Sequence, residues 1–157
     1  MFKNNNIEIV CDIDKNIVLN SYLNELQQVI LNILKNAKDA LVENNINIPY
    51  IKIEAKVDEQ NIYLSITDNA GGIKTEPINK IFEAYFTTKP QSQGTGIGLY
   101  MSKMILEKSM KGKLFVENIE DKPFKTAMWI ITKANELWIQ KQKEISKQLI
   151  EEFENIK

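Results

Sequence analysis

Apolar and polar positions change period repeatedly along the chain, and each change marks an element. IEIVC (7–11) and IVL (17–19) are short apolar runs that read as strands. Leu23, Leu26, Ile30, Ile33, Leu34, Ala37 and Leu41 then recur every three to four residues, the spacing that lines one face of a helix. Asn20 and Ser21 offer a cap for its start, and Asn44, Asn45 and Pro49 bound its end. Ile51, Ile53, Ala55 and Val57 alternate with Lys52, Glu54 and Lys56; beyond a polar DEQN turn, Ile62, Leu64 and Ile66 alternate with Tyr63 and Ser65. Alternation on both sides of a turn predicts a hairpin with one face on a core.

A helical piece over 76–84 leads into the polar YFTTKPQSQ (85–93), then GTGIGL (94–99) opens a helix reaching about Met110. KLFVENI (113–119) and TAMWIIT (126–132) read as two more strands. The order strand, helix, strand, strand, helix, strand, strand predicts an α+β, two-layer sandwich. Its mixed, mostly antiparallel sheet is covered on one face by helices and wetted on the other. Residues 133–157 form a last amphipathic helix, with Trp138, Ile145, Leu149, Phe153 and Ile156 near one face, to dock on its own domain or on a partner.

Composition narrows the functional classes. The 157 residues, 43% of them hydrophobic, suit one compact domain. Twenty basic against 21 acidic residues leave a net charge of −1, which gives no broad attraction to nucleic acid or a membrane, so any phosphate site must be local. A lone Cys11 excludes an internal disulfide, and no apolar run approaches the ~20 residues needed to span a bilayer. With no signal-like start, the reading is a soluble, cytoplasmic domain without direct membrane contact. The chain has no histidine, which excludes histidine metal sites, Ser-His triads and a phosphohistidine on this chain.

Gly94, Gly96 and Gly98 alternate in front of a helix, and the free N–H groups at such an end attract anions. Their spacing fits neither the dinucleotide fingerprint nor the P-loop. Asn32 and Asn36 lie one helical turn apart beside the apolar stripe, unusual for a poor helix former. Asp68 closes a predicted strand just before Gly71-Gly72, where a carboxylate can accept from a ligand N–H. Phe82, Tyr85 and Phe86 cluster next to Lys89. Each feature alone also fits an ordinary turn, a helix edge or a core aromatic.

Their order is more specific. LNILKNAKDAL, DNAGGI, IFEAYFTTK and GTGIGL resemble the N, G1, F and G2 boxes of the ATP-binding catalytic domain of bacterial sensor histidine kinases, in the GHKL (Bergerat-fold) superfamily, over roughly residues 7–132. The resemblance implies an ATP site between the first helix and a lid at about 74–96. In it Asn36 ligates Mg²⁺, Asp68 accepts from the adenine amine, and Gly72 lets the backbone pass the base beside Ile73. Gly94, Thr95, Gly96, Ile97, Gly98 and Leu99 cradle the phosphates, Thr126 completes the nucleotide contacts, and Lys89, with Lys35 or Lys38 behind it, neutralises phosphate charge. At the Asn32 position hydrolytic relatives carry a glutamate that activates water; an amide cannot take that proton, which favours transfer to a histidine over hydrolysis. The acceptor histidine must then lie on a separate dimerisation domain, with a response regulator receiving the phosphate later.

Two positions depart from the pattern. Ala70 replaces a glycine of the G1 box and removes easy access to positive φ. Asp39 stands where many such kinases carry a lysine, which shifts phosphate neutralisation to Lys89. An anti-sigma-factor-like serine kinase of the same superfamily and a non-catalytic nucleotide-binding module are the alternatives.

Overall fold

The computed structural model describes residues 6–14, 16, 17, 19, 22–90, 94–120 and 125–133. Their elements run β1 (Glu8–Ile13), α1 (Leu23–Glu43), β2 (Tyr50–Val57), β3 (Asn61–Asp68), a 3₁₀ turn (Ile78–Phe82), α2 (Gly98–Met104), a π-helical turn (Ile105–Ser109), β4 (Lys113–Asn118) and β5 (Thr126–Lys133). The sheet order is β1-β2-β3-β5-β4, with β1 parallel to β2 and every other pair antiparallel. This is the mixed, mostly antiparallel sheet predicted above.

The helices lie on the face defined by Ile51, Ile66, Met128, Ile130, Leu114 and Val116, which the strand register puts on one side. Against it α1 buries Val29, Ile33, Leu34, Ala37 and Leu41. The working stripe is therefore 29-33-37-41 rather than one starting at Leu23, which is 67% exposed. Leu106, fully buried, anchors the π-helical turn in the same core. Truncating such a side chain to alanine costs about 2–5 kcal/mol.

Several expectations change in detail. Ile17 and Leu19 are not in a strand: Asp14 Oδ1 accepts from Asn16 N at 2.9 Å and Asp14 O from Ile17 N at 3.0 Å, a side-chain-stabilised turn that ends the extended run. The α1 cap position is Tyr22, in extended conformation with no side-chain cap bond; Asn20 and Ser21 lie outside the described residues, as does the helix expected over 133–157 apart from Lys133, which ends β5. The piece at 76–84 is only the 3₁₀ turn. The helix after Gly98 loosens at Ile105 into wider turns, closed by Met110 N to Ile105 O at 3.2 Å and Gly112 N to Leu106 O at 2.8 Å.

The outer face of the sheet is less wet than the alternation implied. Phe115 and Trp129 stack there, 6.1 Å between ring centroids, and Trp129 Nε1 donates to Glu117 Oε1 at 2.7 Å. Ser65, opposite Trp129 and Glu54, and Thr67, opposite Lys52, are both buried: short side chains on the central strand sit below their larger neighbours.

Candidate functional site

α1 presents Asn32, Asn36 and Asp39 at spacings of four and three residues, which keeps them on one helix face. The structure gives the two amides different surroundings. Asn32 Nδ2 donates to Ser102 Oγ at 3.2 Å and, at 3.4 Å, to Gly98 O. Ser102 is fully buried and donates in turn to Gly98 O at 2.9 Å. Asn32 thus ties α1 to the first turn of α2. The side-chain amide of Asn36, half-buried, makes no hydrogen bond among the described residues. A turn further on, Asp39 Oδ2 pairs with Lys89 Nζ at 2.6 Å, while Lys38 Nζ stands 3.9 Å from Asp39 Oδ1.

At the C-terminal end of β3 Asp68 is 7% exposed, in register with Thr126 of β5 and pointing to the helix-covered side. Burial pushes its carboxyl up to about 6, opposed by the N–H of Ala70 and the hydroxyl of Thr126, which both bond the charged form. Ala70 N donates to Asp68 Oδ1 at 2.9 Å, and Lys125 N to Asp68 O at 2.7 Å. The following turn needs positive φ at Gly71 (106°) and Gly72 (85°) but not at Ala70, whose methyl packs in the core. The substitution at 70 therefore leaves the turn intact. Asn44 Nδ2 donates to Ala70 O at 2.8 Å, so the C-terminal end of α1 holds this turn. Asn32 and Asn44 are about 18 Å apart along the helix at 1.5 Å per residue.

Asn118 of β4 accepts from Ile73 N and donates to Ile73 O, both at 2.7 Å, and a side chain at Gly72 would press on its Oδ1 at 3.2 Å. Sequence reasoning missed Asn118. The available signal was its parity: it follows Leu114 and Val116 on the inward side, a polar residue in an apolar alternation.

The glycine stretch packs on the segment before it. Tyr85 N donates to Gly96 O at 3.0 Å, and both residues have positive φ, 66° and 65°. A Cβ on Gly96 would lie 2.6 Å from Tyr85 O, and one on Gly94 would lie 2.7 Å from Thr87 Oγ1. At Gly98 it would meet nothing nearer than the Asn32 amide at 3.9 Å, an ordinary contact. Gly94 and Gly96 are therefore demanded by the chain itself; Gly98 is not. Thr95 is exposed, Ile97 is half-buried and Leu99 packs against the core. Of the aromatic cluster, Phe82 is core, under Lys103 at 5.2 Å, whereas Tyr85 is 76% exposed.

The donor set decides which cofactors fit. Among the described residues no group of three or more His, Cys, Asp or Glu side chains could hold a metal ion, and Asn36, whose side-chain amide bonds none of those residues, has its oxygen available as a single neutral ligand. Such a site fits an ion like Mg²⁺, which keeps water and ligand phosphates and takes few protein ligands. No helix among the described residues is long and apolar enough to cross a membrane.

This arrangement, a mixed sheet under an asparagine-bearing helix with an acidic strand end and a glycine loop, is that of a Bergerat-type ATP-binding domain. The histidine kinase-, DNA gyrase B-, and HSP90-like ATPase family matches residues 22–136, and the chain belongs to that family. The two-component sensor PprA of Pseudomonas aeruginosa is 34% identical over 116 residues, 71% of this chain and 12% of that protein. Sporulation kinase E of Bacillus subtilis is 35% identical over 99 residues, 63% of this chain and 13% of that protein. The chain thus spans only a small part of the length of these relatives. The catalytic domain of histidine kinase ThkA superposes with a TM-score of 0.69 at 23% identity, covering 85% of this chain and 84% of that one; the mycobacterial sensor histidine kinase MprB does so at 0.68 and 24%, covering 85% of each. These likenesses bear out the predicted family and fold class, and membership of the family implies use of ATP.

Proposed function

We propose that this chain is the ATP-binding catalytic domain of a sensor histidine kinase, which transfers the γ-phosphoryl group of ATP to a histidine on a separate dimerisation domain. A response regulator then receives it, and the domain works in the cytoplasm. The observation that carries this reading is the middle of α1: amides at 32 and 36 and, within a turn of them, one carboxylate, Asp39, tied to Lys89. Within one turn of either amide on α1 the one acid is Asp39, which Lys89 holds, so water at this point finds no unpaired carboxylate to activate it, whereas a neutral imidazole brings its own lone pair and needs only alignment and charge neutralisation.

In this reading Asp68, ionised at neutral pH, accepts a hydrogen bond from the adenine amine, with Thr126 steadying its carboxylate and Gly72 and Ile73 lying along the base. N–H groups of Gly94, Thr95, Gly96, Ile97, Gly98 and Leu99 are available to phosphate oxygens at the start of α2. Asn36 is the residue that would hold Mg²⁺, which when bound neutralises phosphate charge; Lys89 adds a cation to the same end. Asn32 acts by fixing α2, and hence the glycine loop, against α1.

The test is nucleotide titration with and without Mg²⁺, followed by incubation with a histidine-bearing dimerisation fragment. Binding should depend on Mg²⁺ in the wild type and lose that dependence in Asn36→Ala, and the label should be acid-labile phosphohistidine on the fragment. A wild-type protein that fails to bind Mg-ATP sinks the proposal. A label on serine would move it to the serine-kinase alternative.

A further inference from the structure

We infer that Asp39 is a positioning residue: through its ion pair it fixes the Lys89 ammonium over the α1 face beside Asn36, and so sets where the segment after the aromatic cluster delivers its charge. The inference rests on the nucleotide reading of this site.

A lysine head on a flexible four-carbon stem has no fixed place unless something holds it. Here both ends of the stem are held. The Lys89 main-chain N donates to Thr87 Oγ1 at 3.1 Å, and Gly94 N closes the segment onto Pro90 O at 3.2 Å. The ammonium meets Asp39 Oδ2 at 2.6 Å, with the two side chains only 19% and 24% exposed, so the pair is better shielded than a typical surface bridge. Asp39 follows Asn36 by three residues, which puts the captured cation on the asparagine side of the helix. The other carboxylate oxygen faces Lys38 at 3.9 Å, a contact too long to compete. A carboxylate beside a phosphate site is otherwise unfavourable, since it repels the ligand. Its presence is rational if what it contributes through Lys89 outweighs that repulsion.

The two effects of Asp39 have opposite signs, and this makes the inference testable by calorimetric binding of Mg-ATP and Mg-ADP. In the wild-type background Asp39→Asn frees Lys89 and should weaken Mg-ATP about fivefold, with Mg-ADP changing less than about twofold. In the Lys89→Met background only repulsion remains, so the same substitution should tighten Mg-ATP. Asp39→Glu, which keeps the charge, should recover most of the wild-type affinity. An Asp39→Asn effect of the same sign in both backgrounds, or tighter Mg-ATP binding in Asp39→Asn alone, overturns the positioning role while leaving the nucleotide reading in place. Absence of Mg-ATP binding to the wild type overturns both.

Discussion

The chain around Asp68 and the chain around Gly96 are held in different ways. At Asp68 the turn is bonded from three directions: Ala70 N to the carboxylate, Asn44 to Ala70 O, and Asn118 to both main-chain groups of Ile73. At Gly96 the loop rests on main-chain bonds to Tyr85 and Pro90, two left-handed residues in contact, and the ion pair of Lys89 with Asp39. The first end is built on strand termini and cannot shift without breaking the sheet register. The second rides on a connection, and charge and backbone conformation decide its shape. A rigid end suits recognition of a flat base of fixed outline; an end set by charge suits a phosphate chain whose net charge changes in the reaction.

The largest effect should come from the rigid end. Asp68→Ala removes a buried acceptor and should weaken adenine-nucleotide binding by about 10–100-fold, from the ~1.5–3 kcal/mol of a hydrogen bond to a charged group. Stability should move the other way. Because the folded carboxyl titrates at about 6 against an ordinary 3.8, its favourable contribution is complete below about pH 3.8 and is lost as pH rises through 6. Asp68→Asn, which keeps an acceptor for Ala70 N, should therefore be more stable than wild type at pH 7, by up to about 3 kcal/mol, and no more stable than wild type near pH 3.5. Thermal unfolding at the two pH values checks this; an equal gap at both would remove the titration from the explanation. Binding by the wild type should also fall below pH 6 relative to Asp68→Asn.

Next in size is the loop. Gly96→Ala puts a methyl against Tyr85 O at a φ of 65°, a strain of about 1–3 kcal/mol. The substitution should weaken Mg-ATP binding far more than it lowers the melting temperature, since the loop can relax away from Tyr85 without disturbing the core. Equal losses in both would mean that the loop belongs to the folding unit of the sheet.

The two α1 amides should then separate. Asn32→Ala leaves the buried Ser102 hydroxyl one partner short and uncouples α2, for about 1–2 kcal/mol of stability. Asn36→Ala breaks no hydrogen bond among the described residues, so its melting temperature should stay within error while its Mg²⁺ dependence disappears. Differential scanning calorimetry beside metal-dependent titration tells them apart. Matching stability losses would contradict the division of roles.

The same contrast explains what was legible in the sequence. Strand and helix periods gave the sheet and α1, because burial on one face imposes a strict spacing; Ile51, Ile66 and Ile33 lie where the alternation put them. The four boxes could be read because turns and helix faces tie residue type to position. Asn118 was hidden, since its partner Ile73 is 45 residues away and only strand register brings them together. The Lys89–Asp39 pair, separated by 50 residues, was invisible for the same reason. The short run at Ile17 misled because three apolar residues do not outweigh the turn closed by Asp14.

The substitution least costly to the fold discriminates most between the ends. Gly94 and Gly96 are required by the chain's own packing, so their presence says little about a ligand. Gly98 is different: it is the first residue of α2, its φ is not left-handed, and a Cβ there would meet the Asn32 amide at a comfortable 3.9 Å. In the protein alone Gly98→Ala should be neutral or stabilising by up to about 1 kcal/mol, as glycine-to-alanine changes in helices generally are. If phosphate oxygens approach that backbone, the methyl intrudes on them, and Mg-ATP should bind at least about tenfold more weakly to a protein that melts no lower than wild type. Undiminished binding by that variant would place the phosphates away from the start of α2 and leave Gly98 required by neither folding nor ligand.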